Sequence, residues 1–185
     1  MTRVAAIVLA AGESTRFGSP KQVFLLPAVL ERLDQSPVDE IVVVEGAHSL
    51  DAVDVQTHAR VPRRVVRCDP WTRGPGASLS CGLAALAEDV EAAVVVLADG
   101  PNLAPAAVAR VLEVWRSARG VVAASYDGAR GHPLVLGRPE WVDVPDEGLH
   151  NRTVRLVPCD DLGSPGDIDL PDDLPDDLPA DSHSG

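Results

Sequence analysis

The chain has 185 residues, 45% of them hydrophobic and 24% charged, which suits one packed domain rather than several small ones. A net charge of −12 excludes general electrostatic attraction to nucleic acid or anionic membrane, and no apolar run approaches the roughly 20 residues of a membrane span. No apolar signal region or cleavage site follows Met1-Thr2-Arg3, so a cytoplasmic location is expected.

Val4–Leu9 is an unbroken apolar run entering Ala10-Ala11-Gly12, the pattern of a buried strand feeding a tight loop. Further strand-like runs are predicted at Glu40–Val44, Arg64–Arg67, Ala92–Leu97, Val121–Ser125, Leu134–Leu136 and Val154–Val157. Helical spacing of apolar residues is predicted over Leu26–Leu33, Ser78–Ala87 and Pro105–Ser117, with Ser78 and Pro105 as N-terminal signals. Alternation of strands and helices implies βαβ units and a mostly parallel sheet. Asp127-Gly128 between two strand-like runs reads as a turn or hairpin. The catalytic domain is placed at residues 1–174. Residues 175–185 lack a core pattern and are expected to form a disordered acidic tail. Cys68, Cys81 and Cys159 are isolated, odd in number and without a CxxC pair, which argues against a disulfide framework or zinc site and for buried or idle thiols.

In parallel sheets ligands collect at the carboxyl ends of strands, which directs attention to two loops. The first runs Leu9-Ala10-Ala11-Gly12-Glu13-Ser14-Thr15-Arg16-Phe17-Gly18-Ser19-Pro20-Lys21 and ends on the only lysine of the chain. Glycine lets backbone N–H groups face an anion, and Arg16 and Lys21 supply the charge a triphosphate requires. It is neither a Walker A nor a GxGxxG motif, and an ordinary strand-to-helix turn is the alternative. The second is Ala98-Asp99-Gly100-Pro101 after Ala92–Leu97. A carboxylate ending a buried strand is costly unless paired, hydrogen-bonded or ligating a cation, so Asp99 is either a metal ligand or a turn aspartate. Gly74–Ser78 could bring a helix N-terminus to a ligand or merely cap that helix. His132, in Gly131-His132-Pro133, could face substrate or be structural.

Taken together, LAAGESTRFGSPK at 9–21, GASLSCGL at 76–83, VVVLADGP at 94–101, GHPLVL at 131–136, DEG at 146–148 and DIDLPDDL at 167–174 resemble the molybdenum-cofactor nucleotidyltransferase family, the cytidylyl- and guanylyltransferases that act on molybdopterin. The resemblance implies a single-domain, Rossmann-like (GT-A-like) α/β fold with three α/β/α layers. It implies that Leu9, Ala10, Ala11 and Gly12 hold the nucleotide and that Ser78 borders its pocket. Arg16 and Lys21 would bind the β- and γ-phosphates, and Asp99 with Asp169 would bind Mg²⁺, leaving Arg16, Lys21 and Asp99 as the catalytic residues. LAAG with LAD-x-P looks more like the cytidylyl branch, which suggests CTP. The implied partners are a nucleoside triphosphate, a small phosphorylated acceptor and a molybdoenzyme or its maturation factor. Departures fall where an acceptor would sit: Gly100 stands where relatives often carry glutamine, and the segments 21–31 and 138–153 are short. Transfer to a sugar phosphate or phosphoalcohol, with GTP as a possible donor, and a non-catalytic nucleotide-binding role in cofactor maturation are the alternatives.

Overall fold

Strand β1, Arg3–Ala10, is buried on both sides because its residues are apolar at odd and even positions alike. Val4, Ala6, Val8 and Ala10 face one cluster, and Ile7 faces another, as the two-residue period of a strand demands. In the computed structural model, which describes residues 2–12, 21–51, 53–56 and 59–166, β1 lies inside a seven-stranded sheet of order β3-β2-β1-β4-β6-β5-β7. The other strands are β2 Glu40–Glu45, β3 Arg63–Arg67, β4 Val90–Leu97, β5 Val122–Tyr126, β6 Ala129–Gly137 and β7 Arg155–Pro158. β1 pairs in parallel with β2 and β4, β2 with β3, and β5 with β7. Only β6 runs against its neighbours.

Among the described residues three α-helices cover the sheet: α1 Lys21–Asp34, α2 Pro75–Ala84 and α3 Pro105–Ala118. Leu26, Val29, Leu30 and Leu33 of α1 share a cluster with Ala107, Val108, Val111, Leu112 and Trp115 of α3. Leu79 and Leu83 of α2 pack with Val42, Val44, Ala93 and Val95 on the opposite face. The expected three-layer α/β/α architecture with a mostly parallel sheet is therefore present. Beyond the core, Asp34 at the end of α1 accepts hydrogen bonds from the Arg60 and Val61 N–H groups at 3.2 and 3.0 Å and from Arg63 Nη2 at 2.5 Å. This ties α1 to the start of β3.

Several expectations need correction. Helix α2 begins at Pro75 after an N-cap Gly74, not at Ser78. Proline's fixed φ suits the first helical position, and Gly74 adopts φ 135°, open to glycine, so the pair starts the helix before its apolar pattern is visible. Ser78 is instead a buried residue of the first turn. α1 starts at Lys21 and carries Pro27 in its interior, earlier than the apolar pattern from Leu26. β6 extends back to Ala129 and forms a hairpin with β5 in which Asp127 and Gly128 have φ 51° and 76°, the twist a two-residue turn needs. The largest correction concerns the cysteines. Cys68, just past β3, and Cys81 of α2 form a disulfide with Cα atoms 5.7 Å apart, while Cys159 is free and buried. Counting and spacing along the chain could not reveal that β3 and α2 bring two separated thiols together. The segment 167–174 and the tail 175–185 lie outside the described residues.

Candidate active site

The carboxyl ends of β1 and β4 are adjacent, Leu9 standing in register with Leu97. The Ala98 N–H donates to the Leu9 carbonyl at 3.1 Å, so Ala10–Gly12 and Asp99–Gly100 leave the sheet from one point. Ala11 is buried, and its carbonyl accepts from the Ala47 N–H at 3.1 Å. Trp71 closes over this corner. A Cβ on Gly46 would stand 2.7 Å from both Ala11 Cβ and Trp71 Cγ, so the absence of a side chain at 46 lets the indole reach the loop after β1. The turn before α2 is held from the other side, where the Gly76 N–H donates to the Asp146 carbonyl at 2.9 Å and Arg73 Nε to Asp146 Oδ2 at 3.0 Å. Glu45 anchors the exit of β2, its Oε2 accepting from the Leu50 N–H at 2.7 Å.

Beyond Asp99 the crevice deepens into a cavity of about 230 Å³ whose lining includes Leu97, Gly100, Tyr126, Arg130, His132 and Pro165. Tyr126 hydroxyl donates to the His132 carbonyl at 3.0 Å. Arg130 Nη1 donates to the Leu149 carbonyl at 2.8 Å. Burial and then the positive charge of Arg130, with a smaller contribution from His150, push His132 down to about 4 against an opposing pull from Asp99. His132 is therefore a neutral imidazole at physiological pH, one nitrogen donating and one accepting. Burial also lowers the Arg130 guanidinium from its ordinary value.

The predicted residues divide as follows. Leu9, Ala10, Ala11 and Gly12 form the end of β1 and the loop that follows it, and Asp99 stands half-buried at the end of β4 beside them. Ser78 is in the first turn of α2, on the helix entered from the Trp71 turn. Lys21 opens α1. Arg16 and Asp169 lie outside the described residues. Among the described residues no group of three or more His, Cys, Asp or Glu side chains converges as a metal cage. At the end of β4 the described carboxylate beside the loop after β1 is that of Asp99. Sequence reading did not single out Arg130 or Tyr126, which line the cavity beyond Asp99, and left His132 as either facing substrate or structural. The only signal was the clustering of Tyr126, Arg130 and His132 around a two-residue turn, which alternation along β5 and β6 brings to one cavity.

The chain is similar in sequence and fold to known proteins. The chain is 32% identical over 181 residues to the bifunctional protein GlmU of Maricaulis maris (strain MCS10), a match covering 88% of this chain and 39% of that protein. It thus spans about two fifths of that relative's length. Among solved structures, Rv0371c from Mycobacterium tuberculosis H37Rv superposes with a TM-score of 0.69 at 29% identity, over 85% of this chain and 88% of that one. Rv0371c in complex with manganese superposes with a TM-score of 0.65 at 24% identity, over 85% and 88% of the two chains. Residues 6–157, most of the sheet and both strand-end loops, match the MobA-like NTP transferase domain, and the chain accordingly belongs to that family of nucleotidyltransferases.

Proposed function

We propose that the protein transfers a nucleoside monophosphate, CMP from CTP, to molybdopterin or a similar phosphorylated acceptor, releasing pyrophosphate. One observation carries this reading: the loop after β1 and Asp99 after β4 leave the sheet side by side, with a cavity next to them able to receive a second substrate. A triphosphate along Leu9–Gly12 would have its α-phosphorus between the two. The backbone amides of Ala10–Gly12 orient the nucleotide, and the Trp71 turn and the start of α2, with Ser78, form the wall facing it. Arg16 and Lys21 are the cations for the β- and γ-phosphates, and Asp99 with Asp169 holds Mg²⁺. That Rv0371c is known in complex with manganese supports a divalent cation in this family. When bound, the ion neutralises charge growing on the phosphate oxygens. The remaining work is positioning, and no covalent protein intermediate is required.

The test is incubation with each triphosphate and Mg²⁺, following pyrophosphate release and nucleotide binding by calorimetry. CTP is expected to be preferred and to bind more tightly with Mg²⁺ than with chelator, because the triphosphate otherwise meets unshielded Asp99 and Asp169. Lys21→Ala is expected to slow turnover by roughly 10²–10³-fold, with Lys21→Arg rescuing only in part. Near wild-type turnover by Lys21→Ala would remove the phosphate-loop assignment, and equal affinity in chelator would remove the metal site.

A further inference from the structure

Resting on the nucleotidyltransferase reading, we propose that the Cys68–Cys81 bond is a thiol–disulfide switch that sets triphosphate affinity by fixing or releasing Trp71 against the loop after β1. A domain of this length buries enough surface to hold together without a covalent link. The link that is present joins two neighbours of the nucleotide loop. Cys68 precedes the turn Asp69–Arg73, which carries Trp71, and Cys81 lies in α2, whose first turn holds Ser78.

The two partners are held to the sheet unequally. A Cβ on Gly82 of α2 would stand 2.6 Å from Ile7 Cγ2 and 3.0 Å from Val44 Cγ2, so the helix backbone is seated directly on β1 and β2, with Leu79 and Leu83 buried on the same face. No residue of the turn Asp69–Arg73 is buried. Besides the disulfide, the Cys68 N–H anchors its start by donating to the Glu45 carbonyl at 2.9 Å, and two ion pairs hold it from outside, Arg67 with Asp69 and Arg73 with Asp146. All four of these side chains are more than 40% exposed, and pairs so open to water contribute little. Cys68 is fully enclosed, its Sγ 3.6 Å from the Ala77 carbonyl oxygen, and two thiols need more room in such a corner than one disulfide. Opening the bond therefore displaces the turn while α2 keeps its place. Trp71 meets Ala11 across Gly46, so the freedom gained by the turn passes to the amides of Ala10–Gly12, and a triphosphate binding there must order them again.

Cys81 is partly exposed whereas Cys68 is not, so a thiolate attacks at Cys81. A bond forms between that thiolate and Cys81 Sγ, and the Cys68–Cys81 bond breaks with its electron pair on Cys68 Sγ, which takes a proton. The second thiol of a dithiol reductant then displaces the Cys81 sulfur, which is protonated in turn, and the dithiol ends as a disulfide. Two electrons and two protons pass to the protein, and an oxidised dithiol reverses the sequence. Cys159 belongs to the core on the other face of the sheet from Cys68 and takes no part.

The experiment uses the full chain, oxidised or reduced with dithiothreitol, each form titrated with CTP and with GTP in Mg²⁺ by calorimetry. The oxidised form is expected to bind its preferred triphosphate roughly 5–150-fold more tightly, the usual range of coupling between sites. Linkage requires the converse: saturating triphosphate should shift the ratio of reduced to oxidised dithiothreitol at half-reduction, read by alkylation, by the same factor. Cys81→Ser should bind with the reduced affinity and ignore dithiothreitol, Cys159→Ala should respond as the wild type does, and Trp71→Ala should bind alike in both states. Equal affinity of the two wild-type forms, a half-reduction ratio indifferent to triphosphate, or a full redox response in Trp71→Ala would overturn the proposal. Failure of both forms to bind any triphosphate would overturn the reading beneath it, and this inference with it.

Discussion

Gly46→Ala tests whether Trp71 and the loop after β1 form one wall. The added Cβ would sit 2.7 Å from Ala11 Cβ, 2.7 Å from Trp71 Cγ and 2.8 Å from Trp71 Cβ, where ordinary carbon contacts begin near 3.5 Å. None of the three atoms is the tip of a flexible side chain. Relief therefore requires moving the backbone of residue 11 or that of the 3-10 turn Asp69–Arg73, which Cys68 fastens to α2. Overpacking of this kind costs about 1–3 kcal/mol. At about 2–4 °C per kcal/mol for a domain of this size, the melting temperature should fall by roughly 2–12 °C. Because Ala11 precedes Gly12, triphosphate KM should rise as well. Trp71→Leu combined with Gly46→Ala should cost less than the sum of the two single changes, since the smaller side chain makes room. Thermal melts and triphosphate titration of the three variants decide the matter. A Gly46→Ala protein with wild-type melting temperature and KM would show that Trp71 does not brace the loop after β1.

Reduction of the Cys68–Cys81 disulfide, which spans 13 residues of sequence, should lower stability by about 3 kcal/mol on the loop-entropy estimate. Alkylation under denaturing conditions should label one cysteine before reduction and three after it, and labelling of three beforehand would refute the bond. Asp34→Ala should cost about 3–5 kcal/mol in chemical denaturation, because it strands the guanidinium of Arg63, whose side chain is 3% exposed, without its carboxylate; a loss under 1 kcal/mol would contradict this. His132 titrates at about 4 in the fold against 6.5 in the unfolded chain. The unfolded state then binds the extra proton between those values, so this contribution to stability is complete above about pH 6.5 and is lost as pH falls towards 4. Denaturation midpoints of wild type and His132→Gln across pH 7.5 to 4.5 should converge with acid, and parallel curves would exclude the effect.

Much of the fold was legible where burial is complete. Val42–Val44 and Val94–Val96 are apolar on both faces because helices cover both, and Asp99 stood out as the first charge after such a run. Pro105 marked the start of α3 because its missing N–H costs nothing there. Legibility failed where structure depends on contacts distant in sequence. The first half of β6, Ala129–His132, is polar or small and lies on the hairpin arm, so it shows no core alternation. Residues 21–25 precede the apolar spacing that begins at Leu26, yet the helix starts at Lys21 and runs through Pro27. The disulfide needed the α2–β3 packing, and the cavity beyond Asp99 needed the return of residues 164–166 to Gly100, neither of which leaves a mark on local spacing.

The antiparallel hairpin has a further consequence for how this domain can diversify. Its tip points into open space, for a Cβ on Gly128 would meet nothing within 4 Å, while its base is clamped between β4 and β7. Insertions at the tip could therefore lengthen one wall of the cavity without disturbing the paired strands beneath or the loop after β1. Chains of this fold could thus differ around residues 126–132 while keeping the loop after β1 unaltered, so likeness over the first hundred residues would say little about the shape of that cavity.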